Sequence, residues 1–266
     1  MDRARLTITL KPDLLKQVDR TVDGAQVRNR SHAIELLLGK ALDVASMPVV
    51  VLAGGKPQLN GSGPMPKALV EIDGTPVLHH TLNRLADQGF NEVAVVTDER
   101  SEVMKERFGG TFGERMFLRY LMQTKGFHGT APAVRVAGGF VGNRTFIVQY
   151  GDVLADIDYR ELLQFHRASH AMATVALTSV EKASMWGVAT MQGARVVDFT
   201  EKPKPKAGKL SHLVNAGIYV MEPSAITLIP SGSGSIEQTL FPRLAQEGRL
   251  YGYPFEGKWQ DVGHSG

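Results

Sequence analysis

The chain has 266 residues, 43% hydrophobic and 21% charged, with 28 Gly, 13 Pro, no Cys and a formal net charge of +3. That composition fits a globular protein with a substantial core, as one large domain or two unequal ones. Without cysteine there are no disulfides, thiolate metal sites, iron–sulfur clusters or cysteine nucleophiles. Residues 1–46 carry eight Lys/Arg against six Asp/Glu and the remaining 220 carry 22 against 21, so charge alone marks no polyanion-binding surface. The opening Met1-Asp2-Arg3-Ala4-Arg5 leads into an alternating segment rather than an apolar run. No stretch approaches the roughly 18 apolar residues of a membrane span. Neither a signal peptide nor a span is expected, and a cytoplasmic location is.

Residues Arg5-Leu6-Thr7-Ile8-Thr9-Leu10 alternate polar and apolar, the pattern of a short strand. Pro12 and Asp13 then open a helix with an apolar stripe of Leu14, Leu15, Val18 and Val22, stopped by Gly24. Ser31 is the expected N-cap of a second helix whose inward residues are Ala33, Ile34, Leu37 and Leu38. So small a unit buries little alone, and a lone edge strand invites pairing. Strand, helix, Gly-containing turn and the Asn29-Arg30-Ser31 start of the second helix resemble a ribbon-helix-helix module over residues 3–43. The resemblance implies a homodimer paired through the strand, as in proteins whose two-stranded ribbon enters the DNA major groove. Arg5, Thr7 and Thr9 would then face bases, with backbone amides near Asn29–Ser31 on phosphate. The plainer alternative is a module that only dimerises.

From Val49 the grammar changes. Val49-Val50-Val51-Leu52-Ala53 is a continuous apolar run ending in Gly54-Gly55, as for a strand buried on both faces. Similar runs begin at Val93, Thr145 and Thr174, with amphipathic helical segments at His79–Gln88 and Tyr159–His170. Gly187–Thr190, Arg195–Phe199 and Gly217–Val220 are more β-like. Strands alternating with helices predict an α/β layered domain with its site at the strands' carboxyl ends.

Within this frame a series of local patterns appears in order. They are Leu52-Ala53-Gly54-Gly55 leading to Pro66-Lys67, Gly129-Thr130-Ala131, Tyr150-Gly151-Asp152, Glu201-Lys202-Pro203, Asn215-Ala216-Gly217 and Trp259-Gln260-Asp261-Val262-Gly263. The series, from about Val49 to Gly263, resembles the sugar-1-phosphate nucleotidyltransferases. The resemblance implies a Rossmann-like (GT-A-like) three-layer domain over residues 47–266 with a mixed, mostly parallel sheet, preceded by the ribbon-helix-helix domain over residues 1–46. It also implies Mg²⁺-dependent attack of a sugar-1-phosphate on the α-phosphate of a nucleoside triphosphate. The nucleophile is already anionic, so positioning and charge neutralisation must do the catalytic work. Carried over, Ala53, Gly54, Gly55, Lys56, Gln123, Gly129 and Thr130 bind the nucleotide. Lys67 bridges phosphates, Asp152 and Asp261 hold Mg²⁺, and Lys202 holds the sugar phosphate, with Gly187, Glu201 and Asn215 around the sugar. His79, His80, His166 and His170 read as structural.

The glycine-rich loop departs from the family's G-G-x-G-T-R-L. It continues Lys56-Pro57-Gln58-Leu59-Asn60-Gly61-Ser62-Gly63, without the third glycine or the Thr-Arg pair. Lys56 is the nearest cation to stand in for that arginine, and Gly61-Ser62-Gly63 an alternative phosphate nest. The departure keeps a second reading open: a DNA-binding regulator whose weakened transferase domain senses nucleotide or sugar phosphate.

Overall fold

A computed structural model of the chain describes residues 7–55, 57–60, 63–99, 101–123, 125–204 and 211–263. The chain divides into two compact units, Met1–Ala45 and Ser46–Gly266.

The first unit is built on two helices, Pro12–Arg20 and Arg30–Ala45. Pro12 at the first position and Asp13 in the first turn start the earlier helix as expected, but it ends at Arg20, leaving Val22 outside. The cap of the second helix is Asn29 rather than Ser31: Asn29 Oδ1 accepts from the His32 amide at 3.0 Å. Both types are good caps; here Asn29 is the residue placed to reach an orphan amide of the first turn. Residues 7–10 lie in no strand of the single chain, while Arg5 and Leu6 fall outside the described residues. An isolated strand has no partner for its N–H and C=O groups, so the sequence pattern alone cannot form one. Val18 and Ala33 are buried, but Ile8, Leu14, Leu37 and Leu38 are 45%, 47%, 41% and 50% exposed. Of the expected inward set of the second helix, Leu37 and Leu38 are therefore uncovered within one chain, while Ala33 is buried and Ile34 half-buried.

The second unit carries one large sheet. Its main strands are β1 (Pro48–Leu52), β2 (Glu92–Thr97), β3 (Met116–Met122), β4 (Phe146–Tyr150), β5 (Ala173–Ser179), β6 (Gly187–Gln192), β7 (Arg195–Glu201), β8 (Leu213–Met221) and β9 (Leu250–Pro254). Their order is β5-β9-β7-β6-β8-β4-β1-β2-β3, with Thr111–Phe112 on the outer edge beside β3. Strands β4, β1, β2 and β3 run parallel. Beyond β4 the sheet is mainly antiparallel, through β8, β5 and the β6–β7 hairpin. The expected mostly parallel sheet holds only for the first half. Two residues join β6 to β7, and a connection that short permits antiparallel pairing alone.

Val50 and Val148 pack into one cluster with Ala131 and Val134 of helix Thr130–Val136 and Leu240 and Phe241 of helix Ile236–Gln246. Val49, Val51 and Ile147, which point the other way along β1 and β4, are equally buried, so both sheet faces are covered. Each such fully buried side chain contributes roughly 1.5–3 kcal/mol. His166 is structural as expected: it is buried, with Nδ1 2.8 Å from Thr174 Oγ1 and Nε2 3.1 Å from Glu222 Oε1. Burial holds its pKa below the ordinary histidine range. Among the described residues no helix is long and apolar enough to cross a membrane.

Candidate active site

The carboxyl ends of β1, β2 and β4 meet at one place. The Ala53 amide donates to Val96 O at 2.8 Å and the Gly151 amide to Leu52 O at 2.9 Å, so Ala53-Gly54-Gly55 lies beside the start of Asp152. Lys56 lies outside the described residues, as do Gly61 and Ser62. Gln58–Asn60 and Gly63–Met65 form a two-stranded hairpin, so Gly63 belongs to a strand rather than to an open phosphate nest.

Asp152 and Asp261 are 109 positions apart in sequence, and a short ladder brings them together. Val153–Ala155 pairs antiparallel with Trp259–Asp261, Val153 opposite Asp261, and the Val262 amide donates to Asp152 O at 3.0 Å. Lys67 reaches the same point from a turn anchored by buried Ala68 and Leu69, with Nζ 3.7 Å from Asp152 Oδ2. A Cβ on Gly263 would lie 2.5 Å from Lys67 Nζ, 3.0 Å from Asp152 Oδ2 and 3.1 Å from Asp261 Oδ1. The three predicted side chains thus surround one point, and any side chain at position 263 would occupy it.

Two cavities matter here, the smaller of which includes Asp261 in its lining and the larger of which includes Gly55 of the loop after β1. One, of about 780 Å³, is lined by Gly55, Asp98, Gln123, Phe127, His128 and Gly129 among others. Gln123 Nε2 donates to Phe127 O at 3.0 Å and Gly129 O at 3.2 Å, so it braces the loop that walls the cavity. The other, of about 240 Å³, is lined by Thr130, Trp186, Gly187, Glu201, Lys202, Asn215, Glu237 and Asp261 among others. Gly129 borders both. Its φ of +104° and a Gly234 carbonyl oxygen only 2.1 Å from where a Cβ would sit admit no side chain there.

The smaller cavity collects the predicted sugar-site residues. Gly187 opposes Glu201 in the β6–β7 register, and a Cβ on it would lie 2.8 Å from Glu201 Oε2. Burial, then the charge of Glu237, pushes Glu201 up to about 7 against the opposing pull of Lys202. Lys202 is exposed and holds a φ of +45°, rare for a residue with a side chain, with its amide donating to Trp186 O at 3.1 Å. Asn215 is buried; its Nδ2 donates to Tyr219 Oη at 2.7 Å and its Oδ1 accepts from the Gly217 amide at 2.8 Å.

Sequence reasoning missed the floor of this cavity. Glu237, 4% exposed, accepts from Thr130 Oγ1 at 2.7 Å, from Tyr219 Oη at 3.0 Å and from Tyr150 Oη. Burial and then the charge of Glu237 hold both phenols well above their ordinary range, so they remain donors. Glu237 joins the turn at Thr130, the end of β4 and, through Tyr219, Asn215. In sequence it is one more acidic residue in a helix's first turn. Trp186 was also missed, although the chain's only two tryptophans, Trp186 and Trp259, both flank predicted motif positions.

Among the described residues no group of three or more His, Cys, Asp or Glu could hold a metal ion. The Asp152–Asp261 pair nevertheless suits Mg²⁺, which takes one or two carboxylates and completes its shell with phosphate oxygens and water.

The sequence profile of the nucleotidyl transferase family matches residues 49–265. The chain belongs to this family. Among curated relatives of the chain, the mannose-1-phosphate guanyltransferase of Yarrowia lipolytica is 34% identical over 206 residues, 75% of this chain and 55% of that protein. The mannose-1-phosphate guanyltransferase of Saccharomyces cerevisiae is 33% identical over 207 residues, 75% and 56%. The chain thus spans about half the length of the curated relatives it matches. Among solved structures, a UDP-glucose pyrophosphorylase complexed with UDP-glucose superposes with a TM-score of 0.70 at 20% identity, over 82% of this chain and 93% of that one. HddC from Yersinia pseudotuberculosis gives 0.69 at 21% identity, over 82% and 94%. These establish the α/β nucleotidyltransferase fold of the second unit.

Proposed function

We propose that the chain transfers a nucleotidyl group from a nucleoside triphosphate to a sugar-1-phosphate, releasing pyrophosphate, with GTP and mannose-1-phosphate as the substrate pair. The observation that carries this reading is the meeting of Lys67, Asp152 and Asp261 around one point, with Asp261 also lining the smaller of two cavities that share Gly129. The larger cavity takes the nucleotide against Gly55, Gln123 and Gly129, and the smaller takes the sugar against Gly187, Glu201 and Asn215. Lys67 and Lys202 hold phosphate oxygens, so that an oxygen of the sugar phosphate bonds to the α-phosphorus as the bond to the leaving pyrophosphate breaks. Asp152 and Asp261 would hold Mg²⁺, which supplies positive charge to the triphosphate and the leaving group. The names of the relatives support the base and the sugar, and nucleoside triphosphate substrates suit a cytoplasmic enzyme. Family membership favours transfer over the regulatory alternative. The test is pyrophosphate release by purified protein with Mg²⁺ across the nucleoside triphosphates and a panel of sugar-1-phosphates. Release that needs both GTP and mannose-1-phosphate is expected; silence from folded protein with every pair overturns the reading.

Glu201 makes this site pH-sensitive. Its carboxyl, raised to about 7, is protonated below that pH, and an ionised carboxylate accepts the stronger hydrogen bonds from sugar hydroxyls. The KM for sugar-1-phosphate is therefore expected to fall as pH rises through about 7. In Glu201→Gln only the step from the substrate phosphate, near pH ~6, remains. Identical KM–pH profiles would refute the assignment.

The first unit, residues 1–46 in this reading, serves as a homodimerisation module ahead of the transfer domain. Ile8, Leu14, Leu37 and Leu38 are exposed in a unit whose buried apolar side chains, among the described residues, are Val18 and Ala33. Sedimentation velocity is expected to give a dimer for the whole chain and a monomer for Leu37→Glu/Leu38→Glu. A wild-type monomer, or a dimer unaffected by the double change, would count against it.

A further inference from the structure

Asp261 is held from both sides. Its Oδ1 accepts the Gly263 amide at 2.8 Å and its Oδ2 accepts the Trp186 indole N–H at 3.1 Å. A carboxylate offers about four acceptor positions, and donors arriving at both oxygens fix its plane. The Gly263 contact is local, two residues along the chain. The Trp186 contact spans 75 residues and joins two residues that both line the smaller cavity.

Trp186 is tied down at other points as well. Its carbonyl accepts the Lys202 amide at 3.1 Å, its amide donates to Ala183 O at 3.2 Å, and its ring meets Trp259 edge to face at 5.4 Å. Trp259 in turn donates its indole N–H to Ala216 O at 3.0 Å, one residue from Asn215. The Lys202 backbone, in its left-handed conformation, therefore hangs from the residue whose side chain orients Asp261.

Building on the assignment of Asp152 and Asp261 to Mg²⁺, we infer that Trp186 is a positioning residue for that metal site. Its indole N–H holds the Asp261 carboxylate in the ligating orientation, while its backbone sets Lys202, so one residue links the metal carboxylate to the sugar-phosphate lysine. A partner hydrogen-bonded to a metal ligand restricts that ligand's rotamers before the metal arrives, and losing such a partner typically weakens metal binding by 10–100-fold.

The test measures Mn²⁺ binding to the full chain with a GTP analogue whose α–β bridge is methylene, reading free Mn²⁺ by electron paramagnetic resonance, alongside melting temperature. Trp186→Phe keeps a ring against Trp259 and removes only the indole N–H. It is expected to bind Mn²⁺ about tenfold more weakly or worse, with a melting shift below about 4 °C. Trp259→Phe, whose lost N–H served Ala216 O, is expected to bind Mn²⁺ as the wild type does. Wild-type Mn²⁺ affinity in a folded Trp186→Phe, with binding lost in Asp152→Asn and Asp261→Asn, overturns the role of Trp186 alone. Wild-type affinity in both aspartate variants overturns the metal assignment itself, and this inference with it. Should Trp186→Phe fail to fold, Trp259→Phe leaves Trp186 as the single emitting indole. Its fluorescence must then respond to Mg²⁺ in the presence of the analogue, and stop responding in Trp259→Phe/Asp261→Asn; an unchanged response in that double variant overturns the inference.

Discussion

Asp152→Asn is expected to lower nucleotidyl transfer by on the order of 10³-fold or more while leaving the fold intact. The reaction offers its catalyst little besides charge to manage, because the attacking oxygen already carries a negative charge. Asparagine keeps the shape and one acceptor oxygen but removes the charge that draws a divalent cation, and with it the ion pair to Lys67. The loss should fall on kcat at saturating substrate, with melting temperature little changed, since Asp152 is only partly buried at the end of β4. Asp156→Asn is the matched control: that side chain pairs with Arg84 outside both cavities. Equal loss in both variants, or none in Asp152→Asn, would remove Asp152 from the chemistry.

Asp152 was legible in the sequence as the aspartate of Tyr150-Gly151-Asp152, just beyond the buried-strand run Thr145–Val148. Buried parallel strands announce themselves in this way, and β1, β2 and β4 all lay within a residue or two of their expected positions. β3 was not foreseen: Met116–Met122 alternates buried and exposed positions in its first half, and Arg119 and Tyr120 break the run. Helix Ile236–Gln246 was hidden by Pro242 inside it. The pairing of Val153–Ala155 with Trp259–Asp261 is long-range and only three residues wide, so no local pattern could report it. The motif series nonetheless named both aspartates, because each motif keeps its own local sequence wherever the chain carries it. The hub on Glu237 escaped for the opposite reason. Its three partners come from three different elements, and it lies in none of the motifs.

Glu237→Ala is expected to be the most damaging change to stability in the second unit. It strips the acceptor from Thr130, Tyr150 and Tyr219 at once. Each donor left without a partner costs about 1–3 kcal/mol, so the three together cost about 3 kcal/mol or more. For a unit of this size that is a fall of roughly 6–12 °C in melting temperature. Glu237→Gln separates charge from shape. The amide keeps one acceptor oxygen for the tyrosines but presents an N–H₂ in place of the second, which Thr130 can meet by turning its hydroxyl. Stability should then fall much less than in the alanine variant. Removing the negative charge also relieves Glu201, whose carboxyl is raised first by burial and then by Glu237. The pH at which the KM for sugar-1-phosphate changes should therefore move down from about 7, in part but not wholly to the ordinary carboxylate range. A lower midpoint with near-native stability in Glu237→Gln, beside a large loss in Glu237→Ala, would show one buried carboxylate both bracing the cavity and setting its acidity. An unshifted midpoint would mean that burial alone holds Glu201 where it is.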